Sequence, residues 1–247
     1  MNHIKIIVPF HNVEKWILYN IRSVKLQEHK DYECILVSDG TTDSTISIIE
    51  KEIDGDDRFK LVFNPQRTGA LGSTYYGIEQ AEPSEEDIIV ILDGDDWFFN
   101  KDSLRKLNNA YIENSCWMTY GSYVEYPSGD RGKFSRQIPA HIIENSSYRR
   151  SPWMTSHLRT FKYKLWRRIK KEDLQNQEGK FYPMCGDFPV VLPMLEMSGK
   201  RSHYVDDVLL VYNRSNPANE DKINHQLQLS IEAEVRSKPK YDLLEEE

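Results

Sequence analysis

Long apolar runs are missing from this sequence. Stretches such as Ile88 to Leu92 have the length of buried strands, far short of the roughly 18 residues that cross a bilayer. Cysteine is scarce: Cys34, Cys116 and Cys185 stand at no metal-ligand spacing and read as reduced thiols of a cytoplasmic protein. Met1 to Lys5 leads straight into Ile6-Ile7-Val8 without a basic leader, apolar segment and small-residue cleavage site, so no secretory signal is expected. Neither a P-loop nor a dinucleotide glycine fingerprint occurs. Excess positive charge is lacking too. A net charge of −7 argues against a generally basic nucleic-acid binder, although a net value hides local patches.

What is present suits a folded α/β chain. The 247 residues, 39% apolar and 29% charged, suffice for one large domain with a substantial core. Strand-like Ile4 to Phe10, Tyr32 to Val37, Lys60 to Phe63 and Ile88 to Leu92 alternate with helical spacing. That spacing runs through Val13, Trp16, Ile17, Ile21 and Val24, through Ile46, Ile49 and Ile53, from Ala70 to Ala81, and through Leu104, Leu107 and Tyr111. Asp43 is placed to cap the second helix. Such alternation predicts a Rossmann-like, mostly parallel sheet with helices on both faces. Ligands of such sheets bind beyond the carboxyl ends of the strands. Three polar clusters fall there: Pro9 to Asn12, Ser38 to Asp43, and Asp93 to Asp96.

The second half is less regular. It offers a strand at Trp117 to Glu125, a turn at Tyr126 to Gly132, a helix at Val190 to Met197 and a late strand at Tyr204 to Tyr212. The charged tail from Lys238 to Glu247 reads as frayed. No repeat or linker divides the chain, which predicts a single domain over 1–247, with a donor half at 1–115 and an acceptor half at 116–247.

Asp93-Gly94-Asp95-Asp96 follows an apolar strand directly. Extended backbone aims Asp93 and Asp95 the same way, and Gly94 permits close approach of a ligand. Clustered carboxylates repel one another unless a cation sits among them. Mg²⁺ and Mn²⁺ prefer such oxygen ligands and share them with substrate phosphates. The alternative is a tight turn whose Asp side chains cap the next helix.

In these residues the chain resembles family 2 of the glycosyltransferases, over roughly its first 100 residues. Ile7-Val8-Pro9-Phe10-His11-Asn12 is similar to that family's V-P-x-Y-N opening, with His11 in place of Tyr. Val37-Ser38-Asp39-Gly40-Thr41-Thr42-Asp43 is similar to V-D-D-G-S-T-D, with Ser38 for the first Asp. Thr68-Gly69-Ala70 through Gly77-Ile78 follows a third motif's glycine spacing, with Thr74 and Tyr75 replacing an Arg-Asn pair. Asp93-Gly94-Asp95 resembles the D-x-D metal motif.

The resemblance implies the GT-A fold and transfer of a sugar from a nucleotide diphosphate, with a divalent Mn²⁺ or Mg²⁺ as cofactor. It implies a donor pocket of Pro9, Phe10, His11, Asn12, Asp39, Gly69, Asp93 and Gly94. Asp39 would accept the imide N–H of a uridine-type base, so a UDP-linked sugar is expected; Asp39 as a plain turn residue is the other reading. Asp95, helped by Asp93, would hold the cation. The general base would be Asp187, in Cys185-Gly186-Asp187-Phe188, with inversion at the anomeric carbon; a helix cap is the alternative.

Val211-Tyr212-Asn213-Arg214-Ser215-Asn216 is similar to the family's terminal Tyr-Arg segment. The nearby His often seen there is absent, with Asn213 and Asn216 as candidates to replace it. His157 could bind metal or phosphate, with a surface or core histidine as the better default reading, and His157, Arg159 and Arg214 are the candidates for phosphate or acceptor contacts.

From Arg149 to Lys171 nine Lys or Arg residues occur with no Asp or Glu, interleaved with Trp153, Phe161, Tyr163 and Trp166. The plain reading is an amphipathic helix with a solvated basic face. The functional readings are an anionic acceptor such as DNA or peripheral contact with a phospholipid surface. The leading expectation is an inverting, metal-dependent transferase acting on a saccharide or glycoconjugate hydroxyl. Behind it stand a transferase acting on hydroxymethylated DNA bases, a sugar nucleotidyltransferase and a silent binding module. A nucleotidyltransferase would show a Gly- and Arg/Lys-rich first loop, which Pro9-Phe10-His11-Asn12 is not.

Overall fold

The computed structural model describes residues 2–219 and 224–245. Strands β1 (Ile4–Phe10), β2 (Tyr32–Ser38), β3 (Phe59–Phe63) and β4 (Ile88–Ile91) alternate with helices α1 (Ile17–Lys25), α2 (Thr45–Ile53) and α3 (Gly69–Ala81). Then follow β5 (Trp97–Phe98), α4 (Ser103–Asn114), β6 (Met118–Tyr126), α5 (Ala140–Glu144), β7 (Thr160–Lys162), α6 (Tyr163–Trp166), α7 (Asp187–Ser198), β8 (Ser202–Asn213) and α8 (His225–Ser237). All eight strands join one sheet, ordered β3-β2-β1-β4-β7-β6-β8-β5. The pairs β1–β2, β2–β3, β1–β4 and β6–β8 are parallel, while β7 runs antiparallel to β4 and β6, and β5 to β8.

The two-residue period of the strands sorts the core into two layers. Ile4, Ile6, Val8 and Phe10 of β1 and Cys34 and Leu36 of β2 pack with Ile17, Ile21 and Val24 of α1, Ile49 of α2, and Leu104 and Leu107 of α4. On the other face Ile7, Ile35 and Val37 meet Leu71 and Ile78 of α3 and the long run of α7. A Cβ at Gly77 would lie 2.7 Å from Cγ2 of both Ile7 and Val37, so the third motif's glycine sets how closely α3 approaches the sheet. Helix α7 is buried from Phe188 to Ser198, as a helix apolar on every side must be.

Two expectations are corrected here. The basic run is not one amphipathic helix, because β7 interrupts it with extended backbone that pairs with β4 and β6. Several of its cations pair within the chain: Arg149 with Glu196, Lys162 and Lys164 with Glu86, and Arg167 with Glu85. Lys171 lies over the Tyr75 ring. Nor is the tail frayed through its described part. Lys238 Nζ donates to the carbonyls of Glu172, Asp173 and Gln175, Tyr241 Oη donates to Asp173 at 2.6 Å, and Leu244 N donates to Met197 O. Residues 246 and 247 of that tail lie outside the described residues. Among the described residues no helix is long and apolar enough to cross a membrane.

Candidate active site

The parallel strands β1, β2 and β4 end on one side of the sheet, and their loops interlock there. Gly94 N donates to Pro9 O at 3.1 Å, and Asp39 N donates to Phe10 O at 2.9 Å. Asn12 Oδ1 accepts from the backbone of Thr42 at 2.8 Å and of Asp43 at 3.3 Å, and His11 Nδ1 lies 2.9 Å from Asp39 O. Asp43 takes the first backbone N–H of α2, Thr45 N, at 3.0 Å. A Cβ on Gly94 would stand 2.5 Å from Phe10 Cβ. The close approach at this glycine is therefore of protein to protein.

Asp39 is buried, and its carboxylate faces the start of α3. Oδ1 accepts from Thr68 N at 2.9 Å and from Asn64 Nδ2 at 3.2 Å, while Oδ2 accepts from Gly69 N at 2.9 Å. A helix N-terminus leaves its first N–H groups unpaired, and Asp39 satisfies them from a neighbouring loop. This gives the turn reading of Asp39 a specific structural task.

The acidic turn is braced from three sides. Asn20 of α1 donates through Nδ2 to Asp93 O at 3.0 Å and to Asp96 O at 2.8 Å. Asp96, 1% exposed, accepts from Asn213 N through Oδ1 at 2.8 Å, while its buried Oδ2 has no partner. Asp95 Oδ2 accepts from Asn216 Nδ2 at 2.7 Å. Burial, with the Asp95 charge, pushes the Asp93 carboxyl up to about 6. Burial raises Asp95 as well, and burial with its two acidic neighbours raises Asp96 further. Arg159 is the positive charge that acts on Asp93 and Asp96, and it does not offset their burial and mutual repulsion.

Antiparallel β7 delivers the rest. Its register pairs Thr160 with Val90 of β4, so the residues just before β7 lie where β4 runs on into Asp93. Ligand atoms of Asp93, Asp96 and His157 all lie within 4.8 Å of one another. The His157 ring stacks on Tyr212 at 5.1 Å and meets the edge of Tyr123 at 5.7 Å. Burial, reinforced by Arg159, holds its pKa well below the usual histidine value, which keeps the ring neutral and able to bind a metal. Arg159 Nη2 donates to His157 Nε2 at 2.7 Å, and Nη1 donates to Asp187 Oδ2 at 2.5 Å. Asp187 opens α7, where its Oδ1 also accepts from Phe188 N at 3.1 Å.

The structure thus brings Asp93, Asp96, His157, Arg159 and Asp187 together, with Asp95 turned toward Asn216. Pro9, Phe10, His11, Asn12, Asp39 and Gly69 line the neighbouring loops. Arg214 stands on the flank, its guanidinium 5.8 Å from the Tyr212 ring on which His157 stacks. Sequence reading missed Asp96 as a member of the group and gave no signal for Asn20. Asp96 was legible in the unbroken acidic run; Asn20 was not, because only the packing of α1 against the turn defines it.

The sequence pattern described as "Glycosyl transferase family 2" matches residues 5–179. The chain belongs to glycosyltransferase family 2. A Haemophilus influenzae protein described as an uncharacterized glycosyltransferase is 39% identical over 121 residues, 49% of this chain and 47% of that one. The putative teichuronic acid biosynthesis glycosyltransferase TuaG of Bacillus subtilis is 29% identical over 120 residues, 49% of this chain and 46% of its own. These matches span about half the length of those relatives. Among solved structures, S. aureus TarS 1–349 in complex with UDP-GlcNAc superposes with a TM-score of 0.65 at 19% identity, covering 87% of this chain and 59% of that one. The mannosyltransferase PcManGT from Pyrobaculum calidifontis, in complex with GDP-Man and Mn²⁺, gives 0.56 at 18% identity, covering 88% and 58%. At these identities the likeness establishes the GT-A fold.

Proposed function

We propose that this chain transfers a sugar, with inversion, from a nucleoside diphosphate to a saccharide or glycoconjugate hydroxyl. The observation that carries the reading is the gathering of Asp93, Asp96 and His157 at the carboxyl ends of the strands, with Asp187 tied to the same place through Arg159. Family membership supplies the reaction class. The sugar nucleotides named for TarS and PcManGT belong to those proteins, and they make UDP- and GDP-sugars the first donors to try.

A divalent cation fits the acidic turn. Asp96 Oδ2 is buried without a partner, the carboxylates crowd one another, and the facing imidazole is neutral. Asp93 and Asp95, as the D-x-D pair, would hold Mn²⁺ or Mg²⁺ together with Asp96 and His157. Bound there, the ion would neutralise negative charge on the departing diphosphate. In this reading Arg159 binds the phosphates, and Asp39, besides holding the start of α3, reads the base beside them. Asp187 takes the proton of the acceptor hydroxyl as that oxygen bonds to the anomeric carbon. The bond from that carbon to the diphosphate breaks, and its electron pair leaves with the nucleotide. Residues 1–115 serve the donor, and 116–247 serve the acceptor while adding His157 and Arg159 to the donor side.

DNA or an anionic membrane surface as partner finds no support, since most of the charge in the 149–171 segment is spent on internal acids. The test is a hydrolysis and binding panel of UDP- and GDP-sugars with Mn²⁺, with Mg²⁺ and with chelator. Metal-dependent binding of one donor supports the reading, and binding of none removes it.

A further inference from the structure

Arg159 makes two hydrogen bonds that a working transferase cannot keep. Its Nη1 holds Asp187 Oδ2, the oxygen proposed to accept a proton, and its Nη2 occupies the Nε2 lone pair of His157. A guanidinium only donates: it takes the single Nε2 lone pair of His157 and lays a positive charge against the carboxylate that must receive a proton. Both partners are within reach because His157 and Arg159 are two residues apart and Asp187 sits at the exposed start of α7. The Arg159 and Asp187 side chains are 16% and 27% exposed, so the guanidinium has an open side. The same cation is the positive charge that acts on both Asp93 and Asp96.

We propose that Arg159 is a donor-operated latch, which rests on Asp187 and His157 in the free chain and moves to the donor's diphosphate, releasing Asp187 to act as base. This rests on the reading of the site given above. The exchange follows from charge. A diphosphate offers more negative oxygens than one carboxylate, and guanidinium pairs with phosphate in the same forked geometry. A cation held by the acidic turn would replace Arg159 in neutralising Asp93 and Asp96. The base is therefore masked until the donor is seated, which imposes the order donor first, acceptor second. It also protects the donor site from an unproductive acceptor. Arg159 is a positioning residue toward Asp187 and a binding residue toward the phosphates.

The latch has a thermodynamic signature independent of turnover, because the donor must break the Arg159–Asp187 pair to bind. Calorimetry with UDP, GDP and their nucleosides, each with Mn²⁺, reads it on wild type, Asp187→Asn, Arg159→Gln and the double variant. Asp187→Asn should tighten the diphosphate about fivefold, the scale of one half-exposed ion pair, and leave uridine or guanosine binding unchanged. Arg159→Gln should weaken the diphosphate, and in that background Asp187→Asn should give no gain. Thermal melts confirm that each variant is folded. If wild type binds neither diphosphate, the site reading falls and the latch with it. If wild type binds but Asp187→Asn does not tighten the diphosphate, or tightens nucleoside equally, the latch alone is overturned.

Discussion

Asn20 of α1 holds the backbone oxygen of Asp96 at 2.8 Å, and with the same nitrogen that of Asp93 at 3.0 Å. One amide on a helix thus fixes the shape of the acidic turn. Asn20→Ala would leave the Asp96 carbonyl short of its donor, while Asp93 O keeps Asp96 N, at a cost of about 1–3 kcal/mol. Urea denaturation should show that loss, and Mn²⁺-dependent nucleotide binding should weaken with it. Wild-type stability in the variant would mean that the turn holds its own shape.

Asp95, Asp96 and His157 should separate by what each loses. Asp95→Ala and His157→Ala are expected to raise the Mn²⁺ concentration for half-maximal nucleotide binding by about tenfold or more while the fold stays intact. Asp96→Ala should lower the melting temperature as well, because Asn213 N loses its acceptor inside the core. Melting curves beside manganese titrations decide the matter. Unchanged metal demand in Asp95→Ala would remove that residue from the site.

Asp187→Asn preserves size and the bond to Phe188 N but removes the proton acceptor. Single-turnover transfer at saturating donor should fall about 10²-fold or more. A rate within a few-fold of wild type would leave Asp187 as the opening residue of α7 and nothing more.

Far from the chemistry, Glu196 of α7 is 2% exposed and receives Arg149 through two nitrogens, at 2.6 and 2.9 Å. Tyr241 N donates to the same carboxylate at 3.0 Å. Arg149→Met would strand that charge in the core and should cost about 3–5 kcal/mol. Arg149→Met combined with Glu196→Leu should recover a large part of the loss in urea melts. Equal destabilisation by the single and double changes would refute the pairing as its source.

The donor half was legible because β1, β2 and β4 are short runs rich in Ile, Leu and Val followed by polar loops. Ile4 to Phe10 and Tyr32 to Ser38 needed only the two-residue period and the turn chemistry after them. The second half hid its organisation for a physical reason. Three residues, Thr160 to Lys162, form β7, and a strand that short carries no periodic signal; its neighbours are chosen by tertiary pairing. Nine cations in the surrounding run suggested one solvated face, yet four of them find acidic partners far off in sequence, at Glu85, Glu86 and Glu196. The tail was misread for the same cause, since the carbonyls that receive Lys238 belong to residues 172, 173 and 175.

The β4–β7 pairing has a consequence for how the molecule breathes. Asp93 leaves one of these strands and His157 with Arg159 enters the other, so any ligand that joins them staples two antiparallel edges at their shared end. Ligand affinity and strand pairing are then linked quantities, each drawing on the other. Amide hydrogen exchange at Thr160, Phe161 and Lys162 should slow when nucleotide and Mn²⁺ bind, while amides of β3, separated from β7 by three strands of the sheet, keep their rates. Equal protection across both strands would mean that the sheet opens only as a whole. A selective change would make this three-residue strand the reporter of the site's occupancy.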